Sequence, residues 1–235
     1  MRFSQTGETG YGRSPLNNET NPSGATPGED LSGLLRSNLT DKRERDAAEL
    51  QSIAQAYDRH IFRARRKKIG QEWLTEEFVR RVHRDMFGGI WDWAGKYRTS
   101  SVNIGIEFHL IMDHVVRLCG DFRYWASPES RMAPVEIAAR LQNRLTRIHP
   151  FKNGNGRHAR LMTDIFFHSR GLALPKWPQL QLMPQGDALR RQYVSAIKKA
   201  DNEDYSNLMT FIEFCVGIRK NHEDPSHSTN DASSS

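Results

Sequence analysis

Seven segments between residues 40 and 218 carry apolar side chains at helical spacing, and this repetition restricts the chain to a mostly helical fold. The stretch 90–108 is the exception, because its short alternation forms no helical stripe. We interpret it as a loop that leads into a small β-hairpin near residues 100–109. The predicted fold class is therefore all-α, a helical bundle with one small β-hairpin.

Capping and helix-breaking residues set the expected ends of these helices. Thr40 is suited to cap the first helix, which is expected to stop near Gly70, and Thr75 is suited to cap the second. Pro134 can open the fourth helix, and Pro150 stops it. The other helices are expected near residues 111–125, 156–171, 186–200 and 204–218.

The length of 235 residues fits one domain with polar extensions at both ends. Residues 1–29 and 221–235 hold too few apolar side chains to offset the entropy lost on ordering, so we expect two disordered tails. Between them we predict an N-terminal helical extension at 30–71, a core domain at 72–174 and C-terminal helices at 175–220.

The formal net charge of +6 favours anionic partners, and the densest basic run covers residues 59–68. We interpret this run as a solvated helix face or helix end. A nucleic-acid patch is the weaker alternative, because base-stacking aromatics do not alternate with its cations. The chain has neither a run of 18 apolar residues nor the apolar stretch of a signal peptide, so we expect a cytoplasmic protein without membrane contact. Cys119 and Cys215 fall in apolar helical patterns and are expected to be buried thiols.

The densest set of chemically active side chains lies in one helix–turn–helix stretch. His149 ends a helix, and an imidazole can take a proton from a hydroxyl near neutral pH. Gly154 and Gly156 let backbone N–H groups converge on an anion where the next helix begins. Arg157 and Arg160 share one side of that helix and can hold phosphate oxygens. Each residue alone is typical of a turn, a cap or a solvated face, but together they predict a phosphate-binding site with a general base.

The run HPFKNGNGRHAR at residues 149–160 resembles the Fic signature, usually written H-P-F-x-D/E-G-N-G-R-x-x-R, with one departure in its core. Upstream, WAGKYR at 93–98 and NIG at 103–105 resemble the segment that leads into the flap of that family. The likeness covers about residues 72–174 and implies the Fic-type (Fido) helical bundle. The stretch from GATP at 24–27 to RLM at 160–162 is similar to the bacterial Fic branch called mobile mystery protein B.

This resemblance implies a protein adenylyltransferase, which moves AMP from ATP to a Ser, Thr or Tyr hydroxyl of a target protein and releases pyrophosphate. His149 would be the general base. The residues that would bind the nucleotide phosphates are Lys152, Asn153, Gly154, Asn155, Gly156, Arg157 and Arg160. The hairpin residues that would clamp the target segment by main-chain pairing are Val102, Asn103, Ile104, Gly105 and Ile106.

Asn153 is the departure from the signature, because the family usually places Asp or Glu there to hold Mg²⁺ on the phosphates. An amide oxygen can coordinate Mg²⁺ but adds no charge attraction. Three interpretations stay open: Mg²⁺ is bound weakly through Asn153 and the phosphates, another phosphorylated donor or transferred group is used, or the protein is catalytically weak and acts by binding.

A candidate for regulation lies at the start of the first helix. Many Fic proteins carry an inhibitory helix with the pattern S/T-x-x-x-E-G/N, whose Glu pairs with the second motif arginine. The run TDKRE at 40–44 matches its first part, but Arg45 stands where Gly or Asn is expected. Glu44 is therefore a candidate inhibitory residue, and an ordinary helix N-terminus with an acidic first turn is the alternative. Without an internal inhibitor, an antitoxin-like partner protein is expected; a homo-oligomer also stays open.

Two rival functions remain beside AMP transfer. One is a Doc-like phosphotransferase that moves the γ-phosphate, and the other is a basic interaction module with a vestigial pocket, for which nucleic acid is one candidate partner. The run GNGR at 154–157 resembles Fic proteins, whereas Doc proteins usually vary there, and this favours AMP transfer.

Overall fold

The computed structural model describes residues 31–62, 73–178 and 187–217, and within these ranges the fold is all-helical. Seven α-helices follow one another: α1 Lys42–Tyr57, α2 Glu76–Phe87, α3 Ile111–Trp125, α4 Pro134–Ile148, α5 Asn155–Ser169, α6 Ala188–Ala200 and α7 Ser206–Val216. Short helical turns lie at Asp58–Phe62, Phe108–Leu110 and Pro128–Ser130. The predicted all-α class is confirmed.

The capping residues explain where the helices begin. Thr75 caps α2, as predicted, because its hydroxyl accepts the backbone N–H of Phe78 at 3.1 Å. The prediction for α1 was wrong by one residue: Asp41, and not Thr40, is the N-cap, and its carboxylate accepts the N–H groups of Arg43 and Glu44. A carboxylate outcompetes a hydroxyl for this position because it adds charge that the helix N-terminus favours.

The predicted hairpin at residues 100–109 is wrong, and no β-strand occurs in the described ranges. Residues 101–107 form an irregular loop instead. The reason is the side chain of Arg98, whose guanidinium donates to the backbone carbonyls of Ser100, at 2.8 Å, and of Ile106. Both ends of the loop are thus tied to one guanidinium, and Gly105 has φ +102°, which is not the conformation of an extended strand.

Helix α4 lies at the centre of the bundle and packs against α3, α5, α6 and α7, while α5 also packs against α2. Large aromatic side chains fill the space between these helices, and Phe87, Phe122, Phe151 and Phe166 are completely buried. Burying several such rings is the main stabilising contribution to a core of this kind. The packing fixes the ends of α4 and α5, and with them the short connection that the sequence marks as the functional site.

Other predictions fall partly outside the described residues. The two tails, the first-helix end near Gly70 and most of the basic run at 59–68 lie there. Within the described ranges, Cys119 and Cys215 are buried free thiols, as predicted. No helix described by the structure has the length and apolar character needed to span a bilayer.

Candidate functional site

His149 occupies the junction between α4 and the loop that follows. It closes α4 in a left-handed conformation with φ 51°, and its N–H donates to the carbonyl of Leu145 at 3.1 Å. The residue is only 8% exposed. This burial lowers the pKa of His149 to about 4, against the opposing effect of a hydrogen bond to the Thr146 backbone, while the positive charge of Arg98 adds to the lowering. The imidazole is therefore neutral at physiological pH and able to accept a proton.

The loop at residues 149–154 is held to the core through its carbonyl groups. Arg98 donates from its side-chain Nε to the carbonyl of His149 at 2.8 Å and from its backbone N–H to the carbonyl of Pro150 at 2.9 Å. The side-chain amide of Asn155 accepts the N–H of Phe151 and donates to its carbonyl, at 2.9 and 2.8 Å. Asn155 thus acts as a brace inside the loop, a structural role in addition to the predicted phosphate contact.

Gly154 and Gly156 differ in backbone conformation and in the space around them. Gly154 has φ +77°, and a Cβ built there would lie 2.6 Å from the ring of Phe87. Glycine is therefore required at position 154 by the backbone and by packing. At Gly156, in the first turn of α5, a Cβ would meet only Nη1 of Arg160, at 3.8 Å. The space beside Gly156 is open, at a helix end whose first N–H groups lack acceptors within the helix.

Arg157 and Arg160 project from the first two turns of α5 and rest on aromatic rings. The guanidinium of Arg157 lies 4.8 Å from the ring centre of Phe87, and that of Arg160 lies 5.9 Å from the ring centre of Tyr193. Such contacts favour a cation and restrict its position. Since Nη1 of Arg160 also lies near Gly156, both arginines stand close to the N-terminus of α5, and positive charge is concentrated there.

A carboxylate that sequence reasoning missed, that of Glu49, reaches Arg157. Oε2 of Glu49 lies 2.5 Å from Nη1 of Arg157, and Oε1 accepts the indole N–H of Trp91 at 2.7 Å. The structure places the predicted Glu44 elsewhere, exposed in the first turn of α1. The available signal was that Glu49 lies four residues before Ile53, on the apolar face of the helix, where an acid requires a partner.

Asn153 and Lys152 have contacts within the protein. The side-chain Oδ1 of Asn153 accepts the N–H of Gly154 at 2.7 Å, and Lys152 donates from Nζ to the hydroxyl of Ser32 at 2.8 Å. Among the described residues no group of three His, Cys, Asp or Glu side chains is placed to hold a metal ion. The one oxygen that the loop offers in place of a carboxylate is neutral and already bonded. The residues present therefore do not make a Mg²⁺ site by themselves.

The loop at 101–107 passes directly beside His149. A Cβ at Gly105, which has φ +102°, would lie 2.6 Å from Cβ of His149, so a larger residue cannot take this place. The structure thus brings one of the predicted target-docking residues, Gly105, next to the predicted base, and residues 102–106 form a loop and not a hairpin.

Comparisons with known proteins show that part of this chain is similar to Fic proteins. Residues 73–167 match the model of the Fic/DOC family. Over 80 residues, 33% of this chain and 16% of the relative, the chain is 38% identical to protein adenylyltransferase fic-1 of Caenorhabditis briggsae. It is 27% identical over 147 residues to protein adenylyltransferase Fic of Drosophila mojavensis, covering 61% of this chain and 28% of that protein. The chain therefore spans less than a third of the length of these two relatives.

Solved structures show the same fold at low sequence identity. Fic-1 from C. elegans superposes with a TM-score of 0.59 at 22% identity, covering 76% of this chain and 50% of that one. A Fic-domain signalling protein from Bacteroides thetaiotaomicron gives 0.53 at 21% identity, with 72% and 67% covered. The BepC protein of Bartonella tribocorum, solved with bound AMPPNP, gives 0.53 at 14% identity, with 75% and 88% covered. These likenesses establish an all-helical Fic-domain fold.

Proposed function

We propose that this chain, whose residues 73–167 match the Fic/DOC family, acts as a Fic-type enzyme and transfers AMP from ATP to a hydroxyl side chain of a target protein. One observation carries the proposal: a neutral, buried imidazole, His149, stands one short loop away from a helix N-terminus flanked by two arginines. This arrangement puts a proton acceptor beside a site suited to phosphate.

The reaction needs little covalent chemistry from the protein. His149 takes the proton of the target hydroxyl, while the oxygen of that hydroxyl forms a bond to the α-phosphorus of ATP. The bond from that phosphorus to the bridging oxygen breaks, and pyrophosphate leaves. The N–H groups at the start of α5, together with Arg157 and Arg160, hold the phosphates and stabilise the charge that develops on the leaving group.

The target segment is proposed to lie along the loop at 101–107. This loop runs beside His149, so a main-chain interaction there brings a Ser, Thr or Tyr hydroxyl of the target within reach of the imidazole. Main-chain recognition reads the extended shape of the target and few of its side chains. We expect an exposed, flexible segment of the partner protein as the substrate.

The family signature associates Mg²⁺ with the ATP phosphates, and the ion would supply charge neutralisation there. Because Asn153 is neutral and its Oδ1 already accepts the Gly154 N–H, we assign no step to a metal held by this chain. Three further points remain proposals: the mobile mystery protein B branch, an antitoxin-like regulatory partner and a homo-oligomer.

The test uses ATP carrying a radioactive label on either the α- or the γ-phosphate. The full chain is incubated with a bacterial lysate and each form of ATP, beside a His149→Ala variant of equal thermal stability. We expect protein labelling from the α-labelled form only, and none with the variant. Labelling from the γ-labelled form only supports the Doc-like phosphotransferase. Equal labelling by both proteins, or none by either, supports the interaction module.

A further inference from the structure

His83, on α2, makes two hydrogen bonds that fix the position of its proton. The backbone N–H of Gly95 lies 2.9 Å from Nδ1, and a backbone N–H can only donate. The carbonyl oxygen of Asn153 lies 3.0 Å from Nε2, and a carbonyl can only accept. One form of the ring satisfies both contacts: neutral, with the proton on Nε2.

The surroundings of His83 hold that ring in place. The side chain is fully buried and stacks on Phe151, with ring centres 3.7 Å apart and planes 13° apart. His158 meets it edge-on at 5.7 Å. Burial and, less strongly, the charge of His158 lower the pKa of His83 far below its usual value, and the bond to Asn153 opposes them. The ring is a fixed neutral connector that does not change charge in the physiological range.

The two ends of this connector belong to the candidate site. Gly95 adopts φ +74° in the segment that continues to Arg98, and Arg98 holds the carbonyl of His149. Asn153 immediately precedes Gly154, the N-cap of α5. The imidazole of His83 therefore contacts both the segment that holds His149 in place and the residue that precedes α5.

The orientation of one peptide group follows from this bond. In a planar trans peptide the C=O and the N–H point in opposite directions. With the carbonyl of Asn153 turned inward to His83, the N–H of Gly154 points outward, where Oδ1 of Asn153 accepts it at 2.7 Å. A phosphate oxygen can replace that side-chain acceptor, because the peptide is already oriented for it.

We infer that His83 is a positioning residue: its Nε2–H tethers the carbonyl of Asn153 and thereby presents the N–H of Gly154, and the start of α5, to a phosphate group. The catalytic consequence rests on the proposed function, but the tether itself can be measured without turnover.

Three variants separate the tether from ordinary packing. His83→Phe keeps a stacked ring and removes both hydrogen bonds, whereas His83→Gln retains an oxygen to accept from Gly95 and an NH₂ to donate to Asn153. His158→Phe is the matched control, because His158 belongs to the same aromatic cluster but bonds to the carbonyl of Val79 at 3.0 Å. Each protein is assayed for amide hydrogen exchange in residues 153–157, for the Kd of a non-hydrolysable ATP analogue and for its melting temperature.

We expect His83→Phe to speed exchange in residues 153–157 and to weaken ATP-analogue binding, each by about 10-fold, since one buried carbonyl loses its donor. His83→Gln should recover most of both effects. His158→Phe should lower the melting temperature without changing either readout. Equal effects of His83→Phe and His158→Phe on exchange and Kd would reduce His83 to a packing residue and overturn the inference.

A spectroscopic measurement tests the tether even if His83→Phe does not fold. Long-range ¹H–¹⁵N correlation of the wild-type imidazole should show the neutral Nε2–H form; a proton on Nδ1, or a charged ring at neutral pH, overturns the inference. The His83 tether and the proposed AMP transfer can also be contradicted independently of each other. If exchange responds as expected but no label moves from ATP to protein, the tether stands and the proposed AMP transfer does not.

Discussion

The carboxylate of Glu49 lies between the indole N–H of Trp91, at 2.7 Å, and the guanidinium of Arg157, at 2.5 Å. It places a negative charge against a cation that is proposed to bind phosphate. Glu49 therefore orients Arg157 and at the same time offsets part of its attraction for an anion. The ion pair contributes to the free energy of unfolding, whereas the offset of charge lowers the affinity for an anion.

Replacing Glu49 by Gln should separate them. The amide oxygen can still accept from Trp91, but the opposing charge is gone, so we expect ATP-analogue affinity to rise several-fold, by roughly 3–10-fold. The free energy of unfolding should fall by about 1–3 kcal/mol, because Arg157 loses the charged acceptor of its hydrogen bond. Calorimetric titration and urea unfolding measure the two quantities.

Glu44→Gln is the matched control, since Glu44 is exposed on the same helix. Little change is expected from it in either measurement. Increased self-modification by Glu44→Gly with no effect of Glu49→Gln would instead support the inhibitory role predicted for Glu44 from its sequence pattern.

The pH dependence of the reaction follows from the burial of His149. Its pKa is lowered to about 4, so the base is protonated, and inactive, only below that value. We expect kcat/KM for label transfer to remain high as the pH falls through 6.5 and to decline near pH 4. A half-maximal rate near pH 6.5, with the fold intact by circular dichroism, would mean that His149 is solvated or is not the base.

The two loop glycines should respond differently to alanine. Gly154→Ala introduces a Cβ at φ +77° and 2.6 Å from Phe87, so we expect a loss of roughly 2–4 kcal/mol in unfolding free energy. Gly156→Ala meets only Arg160 at 3.8 Å and should change stability by less than about 0.5 kcal/mol. It should nevertheless weaken ATP-analogue binding, because the methyl group enters the proposed anion site. Unchanged binding by Gly156→Ala would move that site away from the first turn of α5.

Asp164 predicts a second pH effect, on stability. Burial raises its pKa to about 8, against the opposing hydrogen bond from Trp177, at 2.7 Å, and the charge of Arg160. Since the folded-state pKa lies above the unfolded one, the stability that Asp164 contributes is lost as pH rises from about 4 through 8.

Asp164→Asn keeps an acceptor for Trp177 and cannot ionise. We expect the variant to be more stable than the wild type at pH about 8.5, by up to roughly 5–6 kcal/mol, and nearly equal to it at pH about 4. Urea unfolding at several pH values measures this difference, with the exposed Asp113→Asn as control. Parallel stability curves for wild type and Asp164→Asn would show that Asp164 is already ionised in the fold.

The sequence predicts those features that depend on local signals. Pro134 and the breaker Pro150 place α4 correctly, and Thr75 places the start of α2, because capping and helix breaking act within a few residues. The cluster of His149, Gly154, Arg157 and Arg160 lies within twelve consecutive residues, so one turn of chain brings it together.

The missed features depend on contacts between distant residues. Arg98 prevents the expected hairpin through bonds to Ser100 and Ile106 that no periodicity reveals. Glu49 reaches Arg157 across 108 positions, and His83 reaches Asn153 across 70. Such pairings are set by the packing of α1 and α2 against α5 and its loop, and become visible only when the helices are placed.

Tandem mass spectrometry of the modified target tests the central claim most directly. The full chain is incubated with ATP and lysate, and modified peptides are sequenced beside a His149→Ala control. We predict an AMP group on the hydroxyl of a Ser, Thr or Tyr, present with the wild type and absent with the variant. A phosphate group on those hydroxyls, dependent on His149, would contradict AMP transfer.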